Sequence, residues 1–153
     1  LLTVAGAPVG QEISDLMPEI LAEDSVGCSN SIIVVVATDA PLLPFQLKRL
    51  ARRVPMGISK VGGIGANSSG DIFIAFSTAN SNAANQTGAE NLRMISNEQI
   101  TPLFKAVVEA TEEAILNVLV SAETMQGINR NTVYAMPHDR LQEILKKYNR
   151  LQQ

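Results

Sequence analysis

The feature that most limits what this chain can become is residues 31–37 (SIIVVVA), which follow directly on a small polar stretch at 25–30 (SVGCSN). Side chains branched at Cβ crowd a helix turn and fit a pleated strand. A run that is apolar on both faces belongs to a strand buried on both sides. Residues 71–76 (DIFIAF) are a second run of the same kind. Between them Pro44 opens a helical pattern, with Leu47, Leu50, Ala51 and Val54 on one face and Lys48, Arg49, Arg52 and Arg53 elsewhere. Residues 62–70 (GGIGANSSG) have the composition of a loop. Strand, helix and strand in this order predict an α/β layered domain.

The rest of the chain extends that order. Residues 77–91 are small and polar, which predicts a long loop. Residues 97–123 carry the longest helical stripe, through Phe104, Val107, Val108, Ala114, Ile115, Val118 and Leu119. A short strand is expected at 133–136. A closing helix is expected at 137–150, with Leu141, Ile144, Leu145 and Tyr148 on its apolar face. Residues 1–9 read as a short strand and turn. Residues 11–24 are acidic, without Lys or Arg, and could hold one amphipathic turn or two. With 153 residues and no internal repeat, one domain is expected.

Charge and cysteine content exclude several classes of function. A net charge of −3 argues against a broadly basic nucleic-acid surface. No apolar run approaches the roughly 20 residues that cross a bilayer as a helix. One cysteine, Cys28, and one histidine, His138, provide neither an internal disulfide nor a four-ligand zinc site of the Cys and His type. No signal-peptide pattern is visible, so a cytoplasmic location is expected over export. The chain opens on Leu1 rather than Met, and an upstream segment is therefore expected.

The chemistry-bearing candidates are few. The glycine loop has Ser68 where a dinucleotide fingerprint needs its third glycine, and no Gly-Lys-Ser/Thr follows, so no nucleotide cofactor is expected. Ser69 and Asp71 would face the same side if the strand begins there, because strand side chains alternate. A hydroxyl beside a carboxylate can polarise a third group. At a loop-to-strand junction it can equally bond local backbone. Ser31 stands between a polar loop and a buried strand, where a hydroxyl can be held rigidly. No histidine is placed to serve it, since His138 sits near a helix start and reads as a surface or capping residue. A serine hydrolase here would need another base. If the backbone is cut before Ser31, a new α-amine appears. Such amines ordinarily titrate at about pH 7.7–8.0, and the neutral form can activate its own hydroxyl. Cys28 has no base or cation nearby in sequence to lower its pKa. Arg49, Arg52 and Arg53 read as a solvated face, and Tyr134 and Tyr148 as packing residues.

Residues 31–53 (SIIVVVATDAPLLPFQLKRLARR) resemble the L-aminopeptidase/D-Ala-esterase-amidase family, which includes the β-aminopeptidases. Residues 68–80 (SSGDIFIAFSTAN) look like its second signature and residues 131–150 like its C-terminal segment. The resemblance implies a four-layer αββα sandwich, with helices outside two stacked sheets, of which this chain supplies only part. It implies a precursor that cuts itself at the Asn30–Ser31 bond. Residues 1–30 would be the tail of an α chain, and residues 31–153 a β chain with an N-terminal nucleophile. Ser31 then corresponds to the nucleophile and amine base, Ser69 to an assisting serine, and Asp71 to an acidic position where some relatives carry Glu. The family's oxyanion-hole asparagine and a tyrosine would lie upstream.

The implied activity is removal of N-terminal residues from short peptides, amides or esters through an acyl-enzyme on Ser31. The implied partners are the missing α-chain segment, such a substrate, and further α/β pairs in a homo-oligomer. No metal, other cofactor, nucleic acid or membrane is implied. Two alternatives are an acyltransferase of the ornithine acetyltransferase type, whose nucleophile is threonine, and a non-catalytic peptide-binding domain of the same fold.

Overall fold

The computed structural model describes residues 1–20, 31–85 and 88–151. Cys28 and Asn30 lie outside the described residues. Nine regular elements follow one another among those described: α1 (Val9–Glu12), β1 (Ile33–Thr38), α2 (Pro44–Ala51), α3 (Val54–Lys60), β2 (Ile72–Ser77), α4 (Thr101–Ser121), β3 (Met125–Gln126), β4 (Thr132–Val133) and α5 (His138–Lys147). None of the described helices is long and apolar enough to cross a membrane.

β1 and β2 pair in parallel, with Ile33 opposite Ile72 and Thr38 opposite Ser77. The expected crossover between them is two helices rather than one. α2 starts well: Pro44 fills the first position, where a missing N–H costs nothing, and the Gln46 side chain reaches back to the Leu43 N–H at 3.2 Å. It ends at Ala51, because Pro55 cannot donate to the carbonyl four residues earlier. Val54 therefore opens α3 instead of continuing the α2 stripe. α4 begins at Thr101, behind a 3₁₀ turn at Asn97–Gln99 whose cap is the Ser96 side chain. A second small sheet, β3 antiparallel to β4, stands between α4 and α5 in the chain, where one short strand was expected.

Two apolar clusters form. The first joins Leu42, Leu50, Val54, Ile100 and Val107 to the inward residues Val34, Val36, Phe73 and Ala75 of the sheet. Leu50, Val54 and Ile100 are almost fully enclosed, and side chains of this kind contribute about 1.5–3 kcal/mol each on burial. Buried Gln46 ties α2 to the loop before α4, donating to the Ile95 carbonyl and to Asn97 Oδ1. Arg49 and Arg53 stack on Phe104, 5.1 and 3.7 Å from the ring centre, so part of the expected solvated basic face is packed. The second cluster joins Ala7, Val9 and Ile13 to Leu141 and Ile144 of α5.

The expectation of two fully buried strands needs correction. Inward and outward residues alternate in burial along β1 and β2. On the outward face Ile33 and Val35 are 68% and 57% exposed, and Ile72, Ile74 and Phe76 are exposed beside them. The inward face is covered by the helices, while the outward face has no covering layer among the described residues. This is one sheet and its helical layer, part of the sandwich expected.

Candidate active site

The parallel register places the candidate residues. Ile33 stands opposite Ile72, so counting two residues back along each strand brings Ser31 opposite Gly70. Both strands therefore present their leading residues at the same end of the sheet. The Gly70 N–H donates to Ser31 Oγ at 2.8 Å. The Ile72 N–H donates to the Ile32 carbonyl at 3.0 Å, which is the first rung of the ladder. One step earlier the Ile32 N–H goes not to a strand carbonyl but to Asp71 Oδ1, at 3.1 Å. Ser69 Oγ donates to the same carboxylate oxygen at 2.5 Å.

Ser69 and Asp71 meet, but not by the strand alternation expected from their spacing. β2 starts at Ile72, so strand alternation does not align them. A turn does: the Ser69 N–H closes on the Ala66 carbonyl at 2.8 Å, and the hydroxyl folds forward onto Asp71. Gly65 within this loop has φ +59, a left-handed conformation that suits glycine. Asp71 thus bonds local backbone as a loop-to-strand carboxylate can, and the backbone it bonds belongs to the residue next to Ser31.

Ser31 is exposed, while Ser69 and Asp71 are half-buried. The fixed Gly70 N–H thereby holds the Ser31 hydroxyl oxygen in place at the entrance to β1. Nothing in the sequence marked Gly70, because the group involved is main chain. The strand register alone could have found it.

The other candidates lie apart. His138 Nε2 bonds the Val120 carbonyl at 2.8 Å, at the last turn of α4. It caps another helix's C-terminus rather than its own helix's start, which satisfies an orphan carbonyl. Tyr134 and Tyr148 do more than pack: their hydroxyls donate to the carboxylates of Glu19 and Glu12. Arg49 also donates to Asn97 Oδ1 at 2.8 Å, and Arg53 to the Arg49 carbonyl. No cluster of three or more His, Cys, Asp or Glu that could hold a metal occurs among the described residues.

Comparison with known proteins places the chain. It is 48% identical to a β-peptidyl aminopeptidase of Sphingosinicella microcystinivorans, a match covering 98% of this chain and 40% of that protein. Its fold superposes on the L-aminopeptidase D-Ala-esterase/amidase of Ochrobactrum anthropi with a TM-score of 0.84 and 44% identity, over 99% of this chain and 40% of the other. That structure is described as a variant of the Ntn hydrolase fold. A Burkholderia β-aminopeptidase superposes with a TM-score of 0.80 and 38% identity, over 95% of this chain and 40% of the other. The chain thus spans about 40% of the length of the relatives it matches. Residues 1–133 match Peptidase family S58, and with these likenesses over nearly its full length the chain belongs to that family.

Proposed function

We propose that residues 31–153 are the nucleophile-bearing chain of a self-processing serine aminopeptidase, and residues 1–30 the end of its upstream chain. The observation that carries this reading is the seating of the Ser31–Ile32 unit. Gly70 holds the hydroxyl oxygen, and Asp71, itself hydrogen-bonded by Ser69, holds the next N–H. A nucleophile just before a strand, gripped through its own hydroxyl and its following peptide, keeps its place when the preceding peptide is removed.

The chemistry then runs in two stages. In the uncut chain Ser31 Oγ attacks the carbonyl carbon of Asn30. The C–N bond breaks as an ester forms, the Ser31 nitrogen takes the proton, and water opens the ester. In the cut chain the Ser31 α-amine takes the proton from Oγ as it attacks a substrate carbonyl. The departing amine receives that proton, and water releases the acyl group. The oxyanion needs preorganised donors, and removing one such donor costs about 10²–10³ in rate in other enzymes. We assign at least one donor to the upstream part of the protein.

The substrate in this reading is a short peptide, amino-acid amide or ester with a free amino terminus, which the aminopeptidase and esterase/amidase names of the relatives support. The apolar face carrying Ile33, Val35, Ile72, Ile74 and Phe76 supports a protein whose upstream part supplies the second sheet. A groove of about 410 Å³ beside β1, lined by Ile33, Val35, Ala114, Ile115, Val118 and others, is apolar and open to the same purpose. The complete protein is then a set of α/β pairs.

The test is the intact mass and N-terminal sequence of the full-length protein, as wild type and as Ser31→Ala. A fragment beginning Ser-Ile-Ile in the wild type alone supports the reading. An uncut wild type overturns it, because the amine base never forms.

A further inference from the structure

Residues 1–20 are built into the structure on which they lie. Ala7 and Val9 are fully buried and Ile13 nearly so, against Leu141 and Ile144 of α5, with Leu2, Val4 and Leu16 packed around them. Backbone bonds fasten both ends of the segment. The Thr3 N–H reaches the Val61 carbonyl at 3.2 Å, and Glu19 and Thr132 exchange two bonds of 2.8 Å each.

The charged contacts are more selective than the apolar ones. The segment before Ser31 has no Lys or Arg, and three of its carboxylates meet donors from the last 20 residues of the chain. The Arg140 guanidinium grips both oxygens of Asp15 at 2.8 and 2.7 Å, and also reaches the Glu12 carbonyl. Lys147 Nζ donates to both oxygens of Glu12 at 2.8 and 2.9 Å, and the Tyr148 hydroxyl adds a third bond at 2.7 Å. The Tyr134 hydroxyl donates to the Glu19 carboxylate. A two-pronged guanidinium–carboxylate pair fixes orientation as well as distance.

We infer that residues 1–20 are the anchor by which the upstream chain stays bound to the 31–153 fragment after the Asn30–Ser31 bond is cut, with α5 as the surface that recognises their acidic side. The inference rests on the self-cleavage reading above. Before the cut, chain connectivity holds the two parts together. After it, noncovalent contacts do, and this segment, which lies wholly on the upstream side of the cut, adds its own to those of the second sheet. Its apolar residues supply adhesion. Its carboxylates set the register against Arg140 and Lys147, so that the bound chain has one position rather than several.

The experiment uses full-length protein that has cut itself, checked by mass for the Ser-Ile-Ile fragment. Amide hydrogen exchange is then read by mass spectrometry on peptides from residues 1–20. In the cut wild type the amides of Ala7, Ile13 and Glu19 should be protected, since each donates a backbone bond. Asp15→Lys sets two cations face to face and should speed exchange across the segment by ~2–5-fold, the range expected for one exposed pair. Adding Arg140→Glu to that variant recreates a pair of opposite sign and should restore protection. The inference is overturned if the segment exchanges freely in the cut wild type, or if the paired substitution fails to rescue the single one. Failure to cut at all is seen in the mass before any exchange is measured, and it overturns the underlying reading together with the inference.

Discussion

Removing the charge of Asp71 should slow self-cleavage by a predictable amount. One oxygen of this carboxylate accepts from the Ile32 N–H at 3.1 Å and from Ser69 Oγ at 2.5 Å. Hydrogen bonds to a charged group contribute about 1.5–3 kcal/mol, against about 0.5–1.5 kcal/mol between neutral groups. Asp71→Asn keeps the shape and one acceptor oxygen, so each bond weakens by about 1–1.5 kcal/mol. If both bonds are needed to hold Ser31 and Ile32 in the attacking geometry, the two together raise the barrier by about 2–3 kcal/mol, or roughly 30–160-fold in rate. Asp71→Ala removes the acceptor outright and should be slower still. The assay is the time course of the precursor mass converting to two fragments, with thermal melting measured alongside. These bonds also hold the folded state, so some loss of Tm is expected, and the rates are compared at a temperature where every variant is folded. Asp71→Ala that cuts at the wild-type rate with an unchanged fold would falsify the role given to this carboxylate. Asp71→Asn that matches wild type while Asp71→Ala does not would show that the bonds matter and the charge does not.

Four further outcomes are expected. Gly57→Ala places its Cβ 2.6 Å from both the Val108 carbonyl oxygen and Thr111 Cβ, so α3 and α4 must part. The overpacking cost of about 1–3 kcal/mol should outweigh the gain in helix propensity of about 1 kcal/mol, and a raised Tm would refute the close crossing. Gln46→Leu strands the Leu43 N–H and the Ile95 carbonyl at about 1–3 kcal/mol for each buried group left unpaired, read as a lowered urea midpoint. Lys147 and then Tyr148 hold the Glu12 carboxyl below its ordinary 4.5, and Arg140 holds that of Asp15 below 3.8. Because both folded values are depressed, their stabilisation is complete above about pH 5 and fades as pH falls through the folded values. The protection factors of residues 1–20, each taken against the unprotected amide at the same pH, should therefore fall in acid, and Glu12→Gln with Asp15→Asn should flatten that fall. Finally, a glycine inserted between Gly70 and Asp71 should abolish cutting with the fold retained, whereas one inserted beside Gly65, where a Cβ meets nothing within 4 Å, should be tolerated.

Much of this molecule is written locally, and those parts are legible in the sequence. β1 and β2 declare themselves because a run of branched apolar residues suits one conformation. α4 and α5 do so because their stripes are long enough to be periodic. The break between α2 and α3 escapes that reading: the apolar spacing carries through Val54, and only Pro55 marks the interruption. The exposed face of the sheet escapes it for a different reason. Apolar residues on both sides of a strand state that both sides are to be covered, not which part of a protein covers them. Ser31, Ser69 and Asp71 are visible as residues, and their family resemblance singles them out. Their joint geometry depends on a pairing across 39 positions, which no local pattern encodes. The contacts of Glu12 and Asp15 with α5 span 125 residues or more and are equally silent.

The position of the site follows from this pairing. Open α/β sheets usually bind ligands beyond the carboxyl ends of their strands, where loops lead into helices. Here the candidate residues gather at the opposite end, because Ser31 precedes β1 and Ser69, Gly70 and Asp71 precede β2. A nucleophile that must also supply a free amine has to be the first residue of a chain, so it belongs where a strand begins. Parallel pairing then brings the beginning of a second strand beside it, which antiparallel pairing would not. The register is locked by the faces: Val34, Val36, Phe73 and Ala75 point into the core, and a slip of one residue would turn them out. The same alternation that buries the core therefore holds Ser31 opposite Gly70, and the precision of the site comes from the packing of the sheet on its helices.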